Sequence, residues 1–256
     1  MTEPQWLACD DPGTMLDVLG KDASARKLRL FACACCRRTA ELLPDATGRA
    51  AVAVAERFAD GLASAKELTE ANQRVREWVD LAGRAYSNAG DSPDRSWSAA
   101  SASAFSFAEA EYAAALSVAE ATVATLRVTG FGGSSARAAG CYAASVAYRG
   151  GARYRFVETI HQNAARADER KAQADIVRDL FSDQFRPVVP DHAWFTSDVM
   201  ALATNIYDNR AFEHMPILAD AIQDAGCDSK DVLNHCRANM AHARGCWVID
   251  LVLGKA

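Results

Sequence analysis

Apolar residues recur along this chain at the spacing of helices. Between 24 and 43, the positions Leu28, Phe31, Ala32, Cys35, Cys36, Thr39, Leu42 and Leu43 form a stripe with a 3.6-residue period, and Pro44 stops it. Upstream, Asp10-Asp11-Pro12 opens a shorter helix that runs through Leu19, with Gly20 just past its end. A helix over 48–60 buries Val52, Val54, Ala55 and Phe58 and ends at Gly61. Ser64-Ala-Lys-Glu67 has the form of a capping box, and the helix it opens carries Leu68, Ala71, Val75, Trp78, Val79 and Ala82 on one face. Residues 87–95, rich in Asn, Gly, Asp, Ser and Pro, read as a loop.

The pattern then changes. Twelve of the 29 residues over 98–126 are alanine, which favours helix but offers little area to bury. A second Ala-rich helix is expected over 134–148, ended by Gly150-Gly151, and then a charged helix over 153–181 whose apolar positions are sparse. Prolines make 185–191 extended. Short helices follow. Ser197 caps one ending near Arg210, Pro216 suits N1 of the next and Gly226 its C′ position, and Asp228 or Ser229 opens a third. A last helix is expected from His242 to Leu253, with Gly254 behind it. No stretch alternates with period two, and no βαβ pattern, Walker motif, GxGxxG, HExxH or GxSxG occurs. The expected fold is all-α, a multi-helix globular bundle with an Ala-rich central region. It is read as one domain over 1–256, with sub-regions 1–86, 98–183 and 192–256.

Composition narrows the function classes. Half of the 256 residues are hydrophobic and 24% are charged, enough for a substantial core. The net charge of −5 argues against a general nucleic-acid binder. There is no basic n-region with an apolar h-region, and no run of 18 apolar residues. A soluble, cytoplasmic protein with no membrane attachment is the expectation, its eight cysteines held as thiols or ligands.

Two clusters carry candidate chemistry. The last thirty residues hold Cys227, His235, Cys236, His242 and Cys246. Zinc takes about four N or S ligands in a tetrahedron. His242 and Cys246 stand at i and i+4 and would share a helix face, Cys227 or His235 completing the set. His235 and Cys236, adjacent on a helix, point about 100° apart and do not share an ion. His242, Cys246 and Asp250 make no catalytic triad, because the cysteine would lie in the middle and eight helical residues span about 12 Å. Asp250, a carboxylate in an apolar helix, is expected to pair with Arg210 or Arg244.

The second cluster is the basic stretch 26–38. On a helix Arg26, Arg29, Cys33 and Arg37 share a face, which makes Cys33 the candidate reactive thiol and the face a candidate anion or nucleic-acid site. The competing reading is that the cysteines pack in the core and the arginines pair with acids. A third group, Asp208, Arg210, Glu213 and His214 beside Pro216, reads as a hydrogen-bonded corner or an acid–base set.

Several blocks resemble an uncharacterised, highly paralogous family of planctomycete bacterial proteins. They are 26–38, 54–61, 178–181 with 185–187, 206–227 and 242–255. The chain departs from the family pattern at 182–184 and 238–241, where the family has Gly-Asn-Pro and a Gly-Pro-rich loop. The resemblance implies a bacterial cytoplasmic protein with a defined fold and transfers no catalytic residue. With no convergent catalytic set and no cofactor motif, the leading expectation is a module that binds another protein and takes no cofactor, with enzymatic activity left open and a non-enzyme favoured. The alternatives are a zinc- or iron-binding helical protein built on the C-terminal His/Cys cluster, and a helical enzyme or an anion or nucleic-acid binder using 26–38.

Overall fold

The computed structural model describes residues 1–20, 23–38, 46–90, 158–185 and 187–255. Among them the architecture is all-α. The expected Ala-rich helices over 98–126 and 134–148 lie outside the described residues.

By its contacts the chain sorts into two compact units. The inner unit, Asp10–Gln173, contains α2 (Pro12–Leu19), α3 (Ala25–Arg38), α4 (Ala46–Ala59) and α5 (Ala65–Gly90). The terminal unit joins Met1–Cys9 to Ala174–Ala256. It contains α1 (Glu3–Leu7), α7 (Ser197–Asn209), α8 (Met215–Asp224), α9 (Lys230–Arg237) and α10 (Trp247–Leu253). The charged helix α6 (Glu158–Phe181) belongs to the inner unit up to Gln173 and to the terminal unit from Ala174.

Local signals set most boundaries. Asp11 caps α2 by accepting from the Gly13 N–H at 3.0 Å, and Gly20 ends it at φ 62°. Ser64 and Glu67 form the reciprocal capping box, with Ser64 N–H to Glu67 Oε2 at 2.8 Å and Glu67 N–H to Ser64 Oγ at 3.2 Å. Three boundaries differ from expectation. Residues 87–90, read as loop, continue α5. The side chain that caps α7 is Thr196, one residue before Ser197. The last helix begins at Trp247 instead of His242, because 241–246 form a non-helical turn and Cys246 takes the N-cap position.

In the inner unit α3 packs on α4, and α4 on α5, around Leu28, Phe31, Cys35, Val52, Leu68 and Trp78. The expected open basic face does not hold. Cys33 is fully buried. Arg26 pairs with Asp60 at 3.0 Å, and Arg37 grips the buried Glu56 with both Nε and Nη2. Arg29 lies 5.4 Å over the Phe58 ring, and burial pulls its guanidinium below the ordinary arginine pKa. Glu56→Ala leaves Arg37 without this partner. Because the Arg37 side chain is 34% exposed and regains water, the expected cost is about 1–2 kcal/mol, below the ~3–5 of a fully buried pair. Urea denaturation followed by circular dichroism measures it.

In the terminal unit α7 packs on α8 and α10, and α8 on α9, around Ile206, Tyr207, Leu218, Ile222, Trp247 and Ile249. Trp6 of α1 meets Phe185, ring centroids 5.3 Å apart. Gly226, at φ 98°, turns the chain out of α8 and delivers Cys227 to this core.

Candidate metal centre

Three segments of the terminal unit converge on one carboxylate. Asp179 lies near the end of α6 between Ile176-Val177 and Leu180-Phe181, and its side chain is fully buried. Its neighbour Asp175 stays partly exposed and pairs with Arg178. Helix α9 buries Val232, Leu233 and Cys236 and presents His235 beside that stripe. The turn before α10, with Gly245 at φ 94°, brings His242 and Cys246 together without a helix between them.

Asp179 Oδ1 lies 2.7 Å from His242 Nδ1 and 3.1 Å from His235 Nε2, while Oδ2 accepts the Ala243 N–H at 2.8 Å. Cys246 Sγ is 3.2 Å from His235 Nε2 and 3.8 Å from His242 Nδ1. One ligand atom from each of Asp179, His235, His242 and Cys246 falls within 4.8 Å of the others. A tetrahedral zinc site separates its N, O and S donors by roughly 3.3–3.6 Å. The contacts with sulfur bracket that spacing; the Asp179–His242 contact is a hydrogen bond that would have to open by about half an ångström.

The proton positions follow from the neighbours. The Trp247 indole Nε1–H donates to His235 Nδ1 at 3.0 Å. An indole only donates, so Nδ1 carries a lone pair and the proton of the neutral ring sits on Nε2, facing Asp179. His242 donates from Nδ1 to the same carboxylate. Its Nε2 is buried with no hydrogen-bond partner among the described residues, on a side chain 3% exposed. Burial alone would push the Asp179 carboxyl up. The hydrogen bonds from His235 and His242, and the charge those rings can carry, more than reverse it and hold the pKa at about 2. Burial, the Asp179 charge and Cys236 push the Cys246 thiol well up, while the backbone N–H groups of Val248 and Ile249 pull the other way.

Each candidate now has a place. His235, His242 and Cys246 share the cluster; Cys227 does not, and its sulfur lies in the core with its pKa raised by burial. The fourth donor, Asp179, is absent from the sequence reading. The one signal for it was a carboxylate set among four apolar residues at the end of an otherwise polar helix. Adjacent His235 and Cys236 diverge as their 100° separation requires, and burial pushes the Cys236 thiol to about 12. The pairing of His242 with Cys246 does not come from a shared helix face; a turn makes it. Asp250 is 2% exposed. Arg244, one of its expected partners, lies 4.4 Å over the Tyr207 ring and 3.9 Å from Asp208. In the third group Arg210 ends α7 in the left-handed region at φ 54°, Asp208 is largely exposed, and Glu213 and His214 sit in a 3-10 turn. Tyr207 and Phe212 pack into or against the core, as a structural corner requires.

No protein-family model, curated protein or solved structure matches this chain. Among the described residues, no helix is long and apolar enough to cross a membrane.

Proposed function

We propose that this chain is a metal-binding helical protein whose terminal unit holds one zinc ion on Asp179, His235, His242 and Cys246. The observation that carries the reading is the convergence of four donor atoms, two nitrogens, one carboxylate oxygen and one sulfur, within 4.8 Å in a buried place. A thiolate with two imidazoles selects zinc over magnesium or calcium, which take oxygen ligands. Four protein ligands fill a tetrahedron and leave no position for substrate, so the site is structural. The N–H groups of Val248 and Ile249 reach Cys246 Sγ and would support the thiolate that the metal requires.

This reading displaces the protein-binding module from the lead. Among the described residues the exposed large apolar side chains are Met1, Leu7, Val18, Leu62, Leu81, Val189 and Ile217, and they are spread over helices and connecting segments.

Zinc at His235 Nε2 needs the lone pair there. The ring proton then moves to Nδ1, and the indole hydrogen bond from Trp247 breaks. Elemental analysis of untagged protein is expected to give about one zinc per chain, and zinc addition to the metal-free protein is expected to change tryptophan emission. Less than about 0.2 metal per chain after zinc reconstitution would sink the reading.

A further inference from the structure

The terminal unit also carries a cleft of about 120 Å³, with Trp6, Ser182, Phe185, His235 and Trp247 on its walls. A water needs only ~10–15 Å³ of such space, so the cleft holds several waters and admits a hydrated ion. Of the four metal donors, His235 alone lines it. Asp179 and Cys246 are fully buried and the His242 side chain is 3% exposed, whereas that of His235 is 10% exposed. The same ring reaches Asp179 Oδ1 and Cys246 Sγ through Nε2, so it joins the cleft to the buried donors.

Trp247 holds that ring. Its indole Nε1–H donates to His235 Nδ1 at 3.0 Å, which keeps the lone pair on Nδ1 and the proton on Nε2, the atom that zinc needs bare. Zinc on Nε2 therefore turns two donors, Nδ1–H and the indole N–H, toward each other, and they must part. Both side chains line the cleft, where water can accept from each. We infer that zinc enters and leaves the centre through this cleft, with His235 as the first ligand it meets and Trp247 as a positioning residue that restrains His235 in the non-ligating tautomer. The inference rests on the zinc reading and adds to it a route and a restraint. The route follows from exposure, since His235 is the most accessible donor. The restraint follows from hydrogen-bond exchange: loading zinc breaks a bond that Trp247→Phe removes beforehand. Phenylalanine retains an aromatic ring beside the imidazole, where the indole and His235 centroids lie 5.1 Å apart.

The test follows zinc capture, and release to a chromogenic chelator, by stopped flow in the wild type, Trp247→Phe and Ser182→Phe. Trp247→Phe is expected to bind zinc about fivefold more tightly, the factor that one net hydrogen bond is worth. A merely structural role for the indole predicts the opposite sign. Ser182→Phe narrows the cleft and should slow capture and release by one common factor, leaving the Kd unchanged. Circular dichroism establishes that both variants fold. Histidine nitrogen NMR needs no variant: His235 should carry its proton on Nε2 in the metal-free wild type and on Nδ1 after zinc. Zinc bound no more tightly by Trp247→Phe, unchanged rates in Ser182→Phe, or an Nδ1 proton in the metal-free protein would each overturn the inference while wild-type zinc uptake leaves the zinc reading intact. A wild type that takes up no zinc would overturn both.

Discussion

Asp179→Ala is expected to cost the terminal unit about 3–5 kcal/mol, the range found when one partner of a buried charged network is removed. The carboxylate faces His235 and His242 through Oδ1 and the Ala243 N–H through Oδ2. Alanine offers none of these groups an acceptor, and each buried donor left unpaired costs ~1–3 kcal/mol. Asp179→Asn keeps the volume and one oxygen and should lose roughly half as much. Urea titration read by tryptophan emission suits the measurement, since Trp6, Trp194 and Trp247 all lie in this unit.

The pH response gives a second signature. The folded carboxyl titrates at about 2, below its ordinary 3.8, so the unfolded chain binds the proton first as pH falls. The stability tied to this group is therefore fully present above pH ~4 and lost as the pH falls through ~2, a change of about 2 kcal/mol. Both alanine and asparagine variants should lack that acid-sensitive increment. A loss below about 1 kcal/mol for Asp179→Ala would mean the carboxylate is not a hub.

Zinc is expected to produce the other large effect. A ligand that binds only the folded state at a thousandfold excess over its Kd stabilises by about 4 kcal/mol. His242→Ala and Cys246→Ser should abolish most of that gain. Cys227→Ala should change the starting stability but leave the zinc response whole, because its sulfur is not among the converging donors. The response should strengthen with pH by about tenfold in affinity per unit for each proton displaced, since the Cys246 thiol, pushed up by burial and by Asp179, must ionise to bind. A zinc gain surviving in Cys246→Ser, or one lost in Cys227→Ala, would assign the donors wrongly.

Much of the fold was legible because its signals are local. The Asp11 cap, the Ser64–Glu67 box and the Gly226 turn each act within a few residues, and each appears where the sequence puts it. The centre of the site was legible only in part. His242 and Cys246 stand out as soft ligands, but the helix assumed between them does not form; the turn through Gly245 closes their distance instead. Asp179 was hidden because its partners lie 56 to 64 positions away, beyond any periodicity argument. Of the two readings of Cys33, the structure matches the one in which the cysteines pack in the core and the arginines pair with acids. A helical wheel puts it among arginines, but arginine stems are long enough to carry their charge to a partner while the backbone beneath is buried. Arg26 and Arg37 do this, reaching Asp60 and Glu56.

The contact from Asp179 to His242 spans 63 residues, whereas α7 packs on α8 and α8 on α9, neighbours along the chain. Local helical contacts form early in folding, whereas a closure over such a separation carries a loop entropy that is repaid only when the remaining structure holds both ends. The hub is then expected to form after the folding transition state, so that Asp179→Ala should mainly speed unfolding and change the folding rate little, making Asp179 a kinetic latch on the terminal unit.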